Sequence, residues 1–193
     1  MINIENLSFS YNEVPVLSNF SAHIKSGVTA VSAPSGAGKT TLLRLICGLE
    51  IPLKGKITFD LLKNSGRQPR FSAVFQEDRL IESLSVISNI LPVTNKGAEH
   101  IQNILKRLEL SDYANTAVKN LSGGQKRRVA VARAIACDYD IMLLDEPLNG
   151  LDVDLKYRTV KTILDYNKGR PVVLVTHIED DMKLFGVTDI ISL

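Results

Sequence analysis

A short apolar run, Val28-Thr29-Ala30-Val31-Ser32, feeds almost directly into Ser35-Gly36-Ala37-Gly38-Lys39-Thr40-Thr41. A stripe with helical spacing follows at Thr41, Leu42, Leu45, Ile46 and Leu49. A buried strand, a glycine turn and a helix in that order leave few architectures open. A short strand without polar alternation belongs in a parallel sheet covered on both faces. The unpaired backbone N–H groups at such a helix start form a site for an anion. Gly36 and Gly38 let the backbone approach phosphate oxygens, Lys39 brings charge to the outer phosphates, and the Thr40 hydroxyl suits a Mg2+ ion. The spacing therefore predicts a nucleotide-binding loop. Its first position, usually glycine, is Ala33, and a negative φ is expected there, at which alanine costs little.

The remaining pattern extends the α/β reading. Ile2, Ile4 and residues 7–9 alternate with polar neighbours, and Val16, Leu17 and Ile24 continue after a turn at Asn12 and Glu13, which predicts an antiparallel β region. Gly48 and Pro52 are expected to close the first helix. Residues 56–60 and 71–75 read as strands, and the apolar runs 140–145 and 170–176 as central parallel ones. Between them, 77–120 turns helical and less regular, with Ile101, Ile104, Leu105 and Leu108 as a core stripe. The expectation is a single unit, 1–193. Residues 1–76 and 137–193 carry the β subdomain and nucleotide core, and 77–136 form a helical arm whose 77–120 stretch is an insertion.

Composition narrows the function classes. With 193 residues the chain suffices for one well-buried core. Its 23 basic residues nearly balance 21 acidic ones, which argues against a nucleic-acid partner. The densest basic run, Lys126-Arg127-Arg128, reads as a solvated helix face. Cys47 and Cys137 lie in apolar helical contexts without metal-ligand spacing and are expected buried and reduced. The first residues lack a basic segment followed by an apolar one, and no run approaches the roughly 18 apolar residues of a membrane span. Any membrane role is expected to run through a partner.

Two further motifs bear chemistry. Asp145 and Glu146 end an apolar strand, the position at which carboxylates reach the sheet edge where the glycine loop also emerges. Asp145 suits a metal, and Glu146 can polarise an attacking water. Leu121-Ser122-Gly123-Gly124-Gln125 is a second glycine turn with a capping serine at a helix start. One nucleotide needs one cradle. Two cradles in one chain suggest that each serves a different face of a shared nucleotide, in a head-to-tail dimer.

These motifs, in this order, resemble the ATP-binding subunits of the ABC (ATP-binding cassette) superfamily over essentially the whole chain, with the nitrate, sulfonate and taurine importer type most similar around Gln76. The resemblance implies a P-loop NTPase core with a parallel sheet, an N-terminal antiparallel β subdomain and an inserted α-helical arm. It implies that Ala33, Ser35, Gly36, Ala37, Gly38, Lys39, Thr40 and Thr41 form Walker A, and that the Tyr11 ring stacks on adenine. Ser122, Gly123, Gly124 and Gln125 become the signature motif that caps the γ-phosphate of ATP held by a second subunit, and Asp152 belongs to the D-loop. Glu146 is the implied general base, His177 the switch histidine and Gln76 the Q-loop residue; Mg2+ falls to Thr40, Gln76 and Asp145. Alone, Tyr11 reads as a strand aromatic, His177 as a structural histidine, and Gln76 carries no signal.

The implied function is an ATP-hydrolysing subunit that energises a membrane transporter, a bacterial importer of small anions or sulfonate-like solutes. Its implied partners are a second ATPase subunit, integral membrane permease subunits and a substrate-binding protein, which places it at the cytoplasmic face of the cell membrane. The alternative is a soluble ABC ATPase of a cytosolic complex such as iron–sulfur assembly. A chromosome-maintenance ATPase needs a coiled-coil insertion far longer than 77–120. The chain stops shortly after the strand expected beyond His177, so no appended regulatory domain is expected.

Overall fold

The computed structural model describes residues 1–60 and 66–193. Strands β1 (Ile2–Tyr11) and β2 (Val14–Ile24) form a hairpin whose two turn residues, Asn12 and Glu13, have φ of 45° and 68°. A turn with both residues left-handed matches the twist of its flanking strands. Strand β4 (Lys54–Phe59) pairs antiparallel on the other side of β1, giving the order β2-β1-β4.

The second sheet holds β3 (Val28–Ser32), β5 (Phe71–Val74), β6 (Ile141–Asp145), β7 (Val172–Val175) and β8 (Asp189–Ser192). Its order is β5-β6-β7-β3-β8, and every neighbouring pair is parallel. Parallel neighbours need long crossovers. These are supplied by α1 (Lys39–Ile46), α2 (Val86–Ile90), α3 (Gly97–Arg107), α4 (Gly123–Ala136), α5 (Val153–Asn167) and α6 (Glu179–Phe185).

Successive side chains of a strand point to opposite faces, and β6 divides its apolar residues accordingly. Met142 and Leu144 enter a core shared with α3, α4 and α5, where Ile104, Val129 and Ile163 are fully buried. Ile141 and Leu143 enter a second core, beneath α1 and the antiparallel sheet, with Leu42, Leu43 and Ile4. The helical stretch between β5 and β6 thus shares a continuous core with one face of the sheet. No described helix is long and apolar enough to cross a membrane.

Several expectations need correction. Helix α1 ends at Ile46 because Gly48 turns left-handed (φ 74°), and the Leu49 N–H closes back on Arg44 O at 2.9 Å. Leu49 is thereby turned out and 57% exposed, instead of completing the apolar stripe. Strand β4 starts two residues early and excludes Asp60; Asp140 and Thr176 flank their strands. Cys47 and Cys137 are half-buried free thiols, each hydrogen-bonded to a helix carbonyl. The largest departure is the basic run. Arg127 and Arg128 are only 4% and 7% exposed. Arg128 donates to Leu108 O (2.6 Å) and Glu109 O (3.1 Å), so its charge meets the carbonyl end of α3.

Leu144→Ala, in the central strand of the larger core, should destabilise the fold by about 2–5 kcal/mol. Urea unfolding should show a lower midpoint with an unchanged slope.

Candidate functional site

Strands β3, β5, β6 and β7 end at one edge of the parallel sheet, and each delivers a motif residue there: the loop from Ala33, then Gln76, then Asp145 with Glu146, then His177. In an open parallel sheet the crevice outside the carboxyl ends of the strands is where ligands bind. A cavity of 790 Å³ occupies that place. Its wall brings together Ala33, Ser35, Gly36, Gly38, Lys39, Thr40 and Thr41 with Gln76, Asp145, Glu146 and His177, and Tyr11 stands at its β1 side.

The loop is shaped by its glycines. Gly38 has φ 92°, and a Cβ there would lie 2.7 Å from Val16 Cγ1 on β2, so both conformation and space demand glycine. Ala33 is not among the residues of positive φ, which agrees with the expectation that alanine is tolerated. Ala37 is not on the cavity wall; its N–H donates to Pro34 O at 3.3 Å and braces the loop. Lys39 Nζ donates to Ala33 O and Pro34 O, both at 2.8 Å. An ammonium has three donors, so one remains for an anion.

Asp145 is positioned by parity. It shares a strand face with Ile141 and Leu143, the face toward α1. There its Oδ2 accepts a hydrogen bond from Thr40 Oγ1 at 2.5 Å. Burial, reinforced by the neighbouring Glu146 charge, pushes the Asp145 carboxyl above its ordinary range, against the pull of the Thr40 hydroxyl. A hydroxyl and a buried carboxylate that favours a cation fit Mg2+, which takes few protein oxygens and completes its shell with phosphate and water. No cluster of three His, Cys, Asp or Glu residues exists among the described residues, so the protein alone offers no fuller metal cage.

Glu146 leaves the strand with φ 49°, uncommon for a residue with a side chain. Its N–H is held by Val175 O at 2.9 Å, and its carbonyl accepts from Asn149 N at 3.2 Å and Arg127 Nη2 at 3.0 Å. The side chain reaches His177, with Nδ1 2.8 Å from Glu146 Oε1. Buried Thr176 accepts from Ile178 N at 3.2 Å and so fixes the turn that presents His177. The histidine side chain is 73% exposed, and Glu146 is its only hydrogen-bond partner among the described residues. Tyr11 packs edge-on against Phe9 at 4.8 Å and donates to Glu50 Oε1 at 3.0 Å.

The second cradle does not join this cavity. Ser122 and Gln125 form a reciprocal capping box: Ser122 Oγ accepts from Gln125 N (3.3 Å) and Gln125 Oε1 from Ser122 N (2.8 Å). Ser122 and Gly123 are exposed, and none of residues 122–125 lines the cavity. Gly124 backs onto the turn before α5; a Cβ there would stand 3.0 Å from Gly150 O. Asp152, also off the cavity wall, caps α5 by accepting from Leu155 N at 2.9 Å. Sequence reasoning placed Asn149 in the D-loop segment 148–152 without assigning it to the cavity wall, and it missed Arg127 behind that wall. Arg127 carries no local signal, because it acts on loop backbone supplied by distant segments.

The profile of the ABC transporter family matches residues 17–149. The chain belongs to the ABC transporter family. It is an ATP-binding ATPase of that family. The taurine import ATP-binding protein of Ruegeria pomeroyi is 34% identical over 200 residues, 96% of this chain and 75% of that one. The spermidine/putrescine import ATP-binding protein of Treponema pallidum is also 34% identical, over 99% of this chain but 53% of its own length. Among solved structures, an ATP-binding cassette captured as a dimer with ADP and Pi after hydrolysis superposes with a TM-score of 0.84 at 30% identity, covering 100% of this chain and 94% of that one. The matched family segment holds the loop, Gln76, the 122–125 tip, Asp145 and Glu146 of this cassette; Tyr11, Asp152 and His177 lie outside it.

For Asp145 the sign of the pH effect follows from the raised pKa. The folded cassette holds that proton more tightly than the unfolded chain, so stability falls as pH rises from the ordinary carboxylate range through the raised value. Asp145→Asn should therefore raise the melting temperature of the nucleotide-free cassette at pH 8. That advantage should shrink on acidification toward pH about 4, and added Mg2+ with ATP should stabilise the variant less than the parent in thermal unfolding.

Proposed function

We propose that this chain is the energising subunit of a membrane importer, in which two copies close on ATP and each site is built from both. The observation that carries this reading is the separation of the two cradles. The Lys39 loop shares one cavity with Asp145, Glu146 and His177, while the Ser122 tip faces solvent away from it. A second copy, turned head to tail, would bring its own tip to that cavity, as the dimeric relatives support.

In this reading the loop amides of residues 35–41 and the free Lys39 donor grip the β- and γ-phosphates, and Tyr11 supports the adenine. Thr40 and Asp145 hold Mg2+ with Gln76 beside them, and the ion supplies charge neutralisation to the transferring phosphoryl group. Glu146 takes the proton of the attacking water, and His177 keeps the Glu146 carboxylate oriented while its other nitrogen faces the γ-phosphate. Ser122, Gly123, Gly124 and Gln125 of the second copy cap that phosphate from outside, with Asp152 in the turn beside them. Closure then depends on the γ-phosphate and is undone when it leaves.

Permease subunits in the membrane, with a substrate-binding protein, complete the transporter, and the chain works at its cytoplasmic face. Relatives named for taurine and for sulfate/thiosulfate import support a small anion or sulfonate-like solute. The equal 34% identity to the spermidine/putrescine importer subunit supports a cassette that leaves cargo choice to its partners.

Lys39→Ala should weaken ATP binding about 10- to 100-fold, the worth of one charge-assisted contact; an unchanged Kd by calorimetry contradicts the role of Lys39. Glu146→Gln should keep ATP binding, lose roughly 10²–10⁴-fold in hydrolysis rate, and run as an ATP-dependent dimer on size exclusion. A monomer with excess Mg·ATP contradicts the shared site. Copurification with integral membrane subunits separates the transporter from a soluble complex.

A further inference from the structure

Arg127 is a buried cation on α4, its side chain 5% exposed, and the mechanism above leaves it without a task. Its guanidinium reaches two separate segments, 75–78 and the strand end at Glu146. Nη1 donates to Phe75 O (2.6 Å) and Asp78 Oδ1 (2.9 Å); Nη2 donates to Gln76 O (3.3 Å) and Glu146 O (3.0 Å). Two of the four acceptors are thus main-chain carbonyls of residues that wall the cavity. A residue needed only to balance Asp78 would not need them, and a planar fork is the shape that can serve both backbone segments at once.

The placement along α4 matters as much. Arg127 follows Ser122 by five residues in one unbroken helix, about 7 Å of rise. The exposed tip and the Arg127 fork therefore move as one body. Glu146 needs such restraint, since it sits in a left-handed conformation directly before Pro147.

We propose that Arg127 is a positioning residue that fixes the backbone under Glu146 and Gln76 and ties both to the helix whose tip meets the nucleotide of a second copy. Docking of the tip is in this way transmitted to the catalytic groups of the same chain. The inference rests on the shared-site ATPase reading.

The test uses the full chain and three readouts: steady-state ATP hydrolysis, the Kd for ATP, and thermal unfolding. Arg127→Met alone strands Asp78, whose carboxyl burial already pushes upward, so the decisive variant is Arg127→Met with Asp78→Asn, which removes both charges. ATP affinity should stay within about twofold of the parent, because the Lys39 loop is not touched, while kcat should fall about tenfold or more through misplacement of Glu146. Arg127→Lys keeps the charge without the fork and should recover only part of kcat. A double variant with parental kcat, or one that loses ATP affinity in proportion to kcat, overturns the inference. A parent chain that binds ATP and never hydrolyses it overturns the functional reading and the inference with it; a hydrolysing parent beside an equally active double variant overturns the inference alone.

Discussion

Val31 of β3, Asp145 of β6 and Val175 of β7 lie side by side in one parallel row, and the register of that row governs what the edge of the sheet can do. Strands β6 and β7 end at this row and β3 one residue beyond it, at Ser32, so Glu146, Thr176 with His177, and the loop from Ala33 begin within one residue of a common level. Parity then assigns faces. Asp145 emerges beside Ile141 and Leu143 toward α1, where Thr40 waits, and a slip of one residue would send the carboxylate into the core shared with α4 and α5. The apolar packing on both faces of β6 therefore holds the chemistry in place.

Around this row the site divides between buried and exposed parts. Asp145 is 2% exposed and bears the cost of a charge out of water, which a cation would relieve. His177 stands in the open and is oriented by Glu146. The Ser122 tip, already capped within its own helix, keeps its outer face toward solvent. Arg127 and Arg128 bind that helix to the backbone of the cavity wall and to the end of α3. The helix start proposed to meet a partner is thus joined to the groups proposed to act on the nucleotide.

What was legible in the sequence was local. A strand, a glycine loop and a helix succeed one another within a few residues, and the need for glycine at 38 is met by conformation and by Val16 alike. The apolar runs of β6 and β7 announced a parallel sheet because both faces are covered. Single residues such as Tyr11, Gln76 and His177 have no local pattern, and only resemblance pointed to them. The burial of Arg127 and Arg128 was illegible because a run of charge ordinarily means solvent; here most of the carbonyls that receive the guanidinium groups come from residues 75, 76, 108, 109 and 146, far away in the chain. Leu49 misled for a smaller reason, the left-handed turn at Gly48.

The central claim is that one copy holds the nucleotide while another covers it. The most direct measurement places a photoreactive group on the γ-phosphate of an ATP analogue. It mixes unlabelled chain with an excess of 15N-labelled Lys39→Ala chain, at an analogue concentration that only the unlabelled chain binds appreciably. After irradiation and trypsin digestion, mass spectrometry of peptide 120–126 should show the probe mainly on the 15N form. Attachment to the unlabelled peptide alone, whatever the excess, or to no part of that tip, would contradict the shared site.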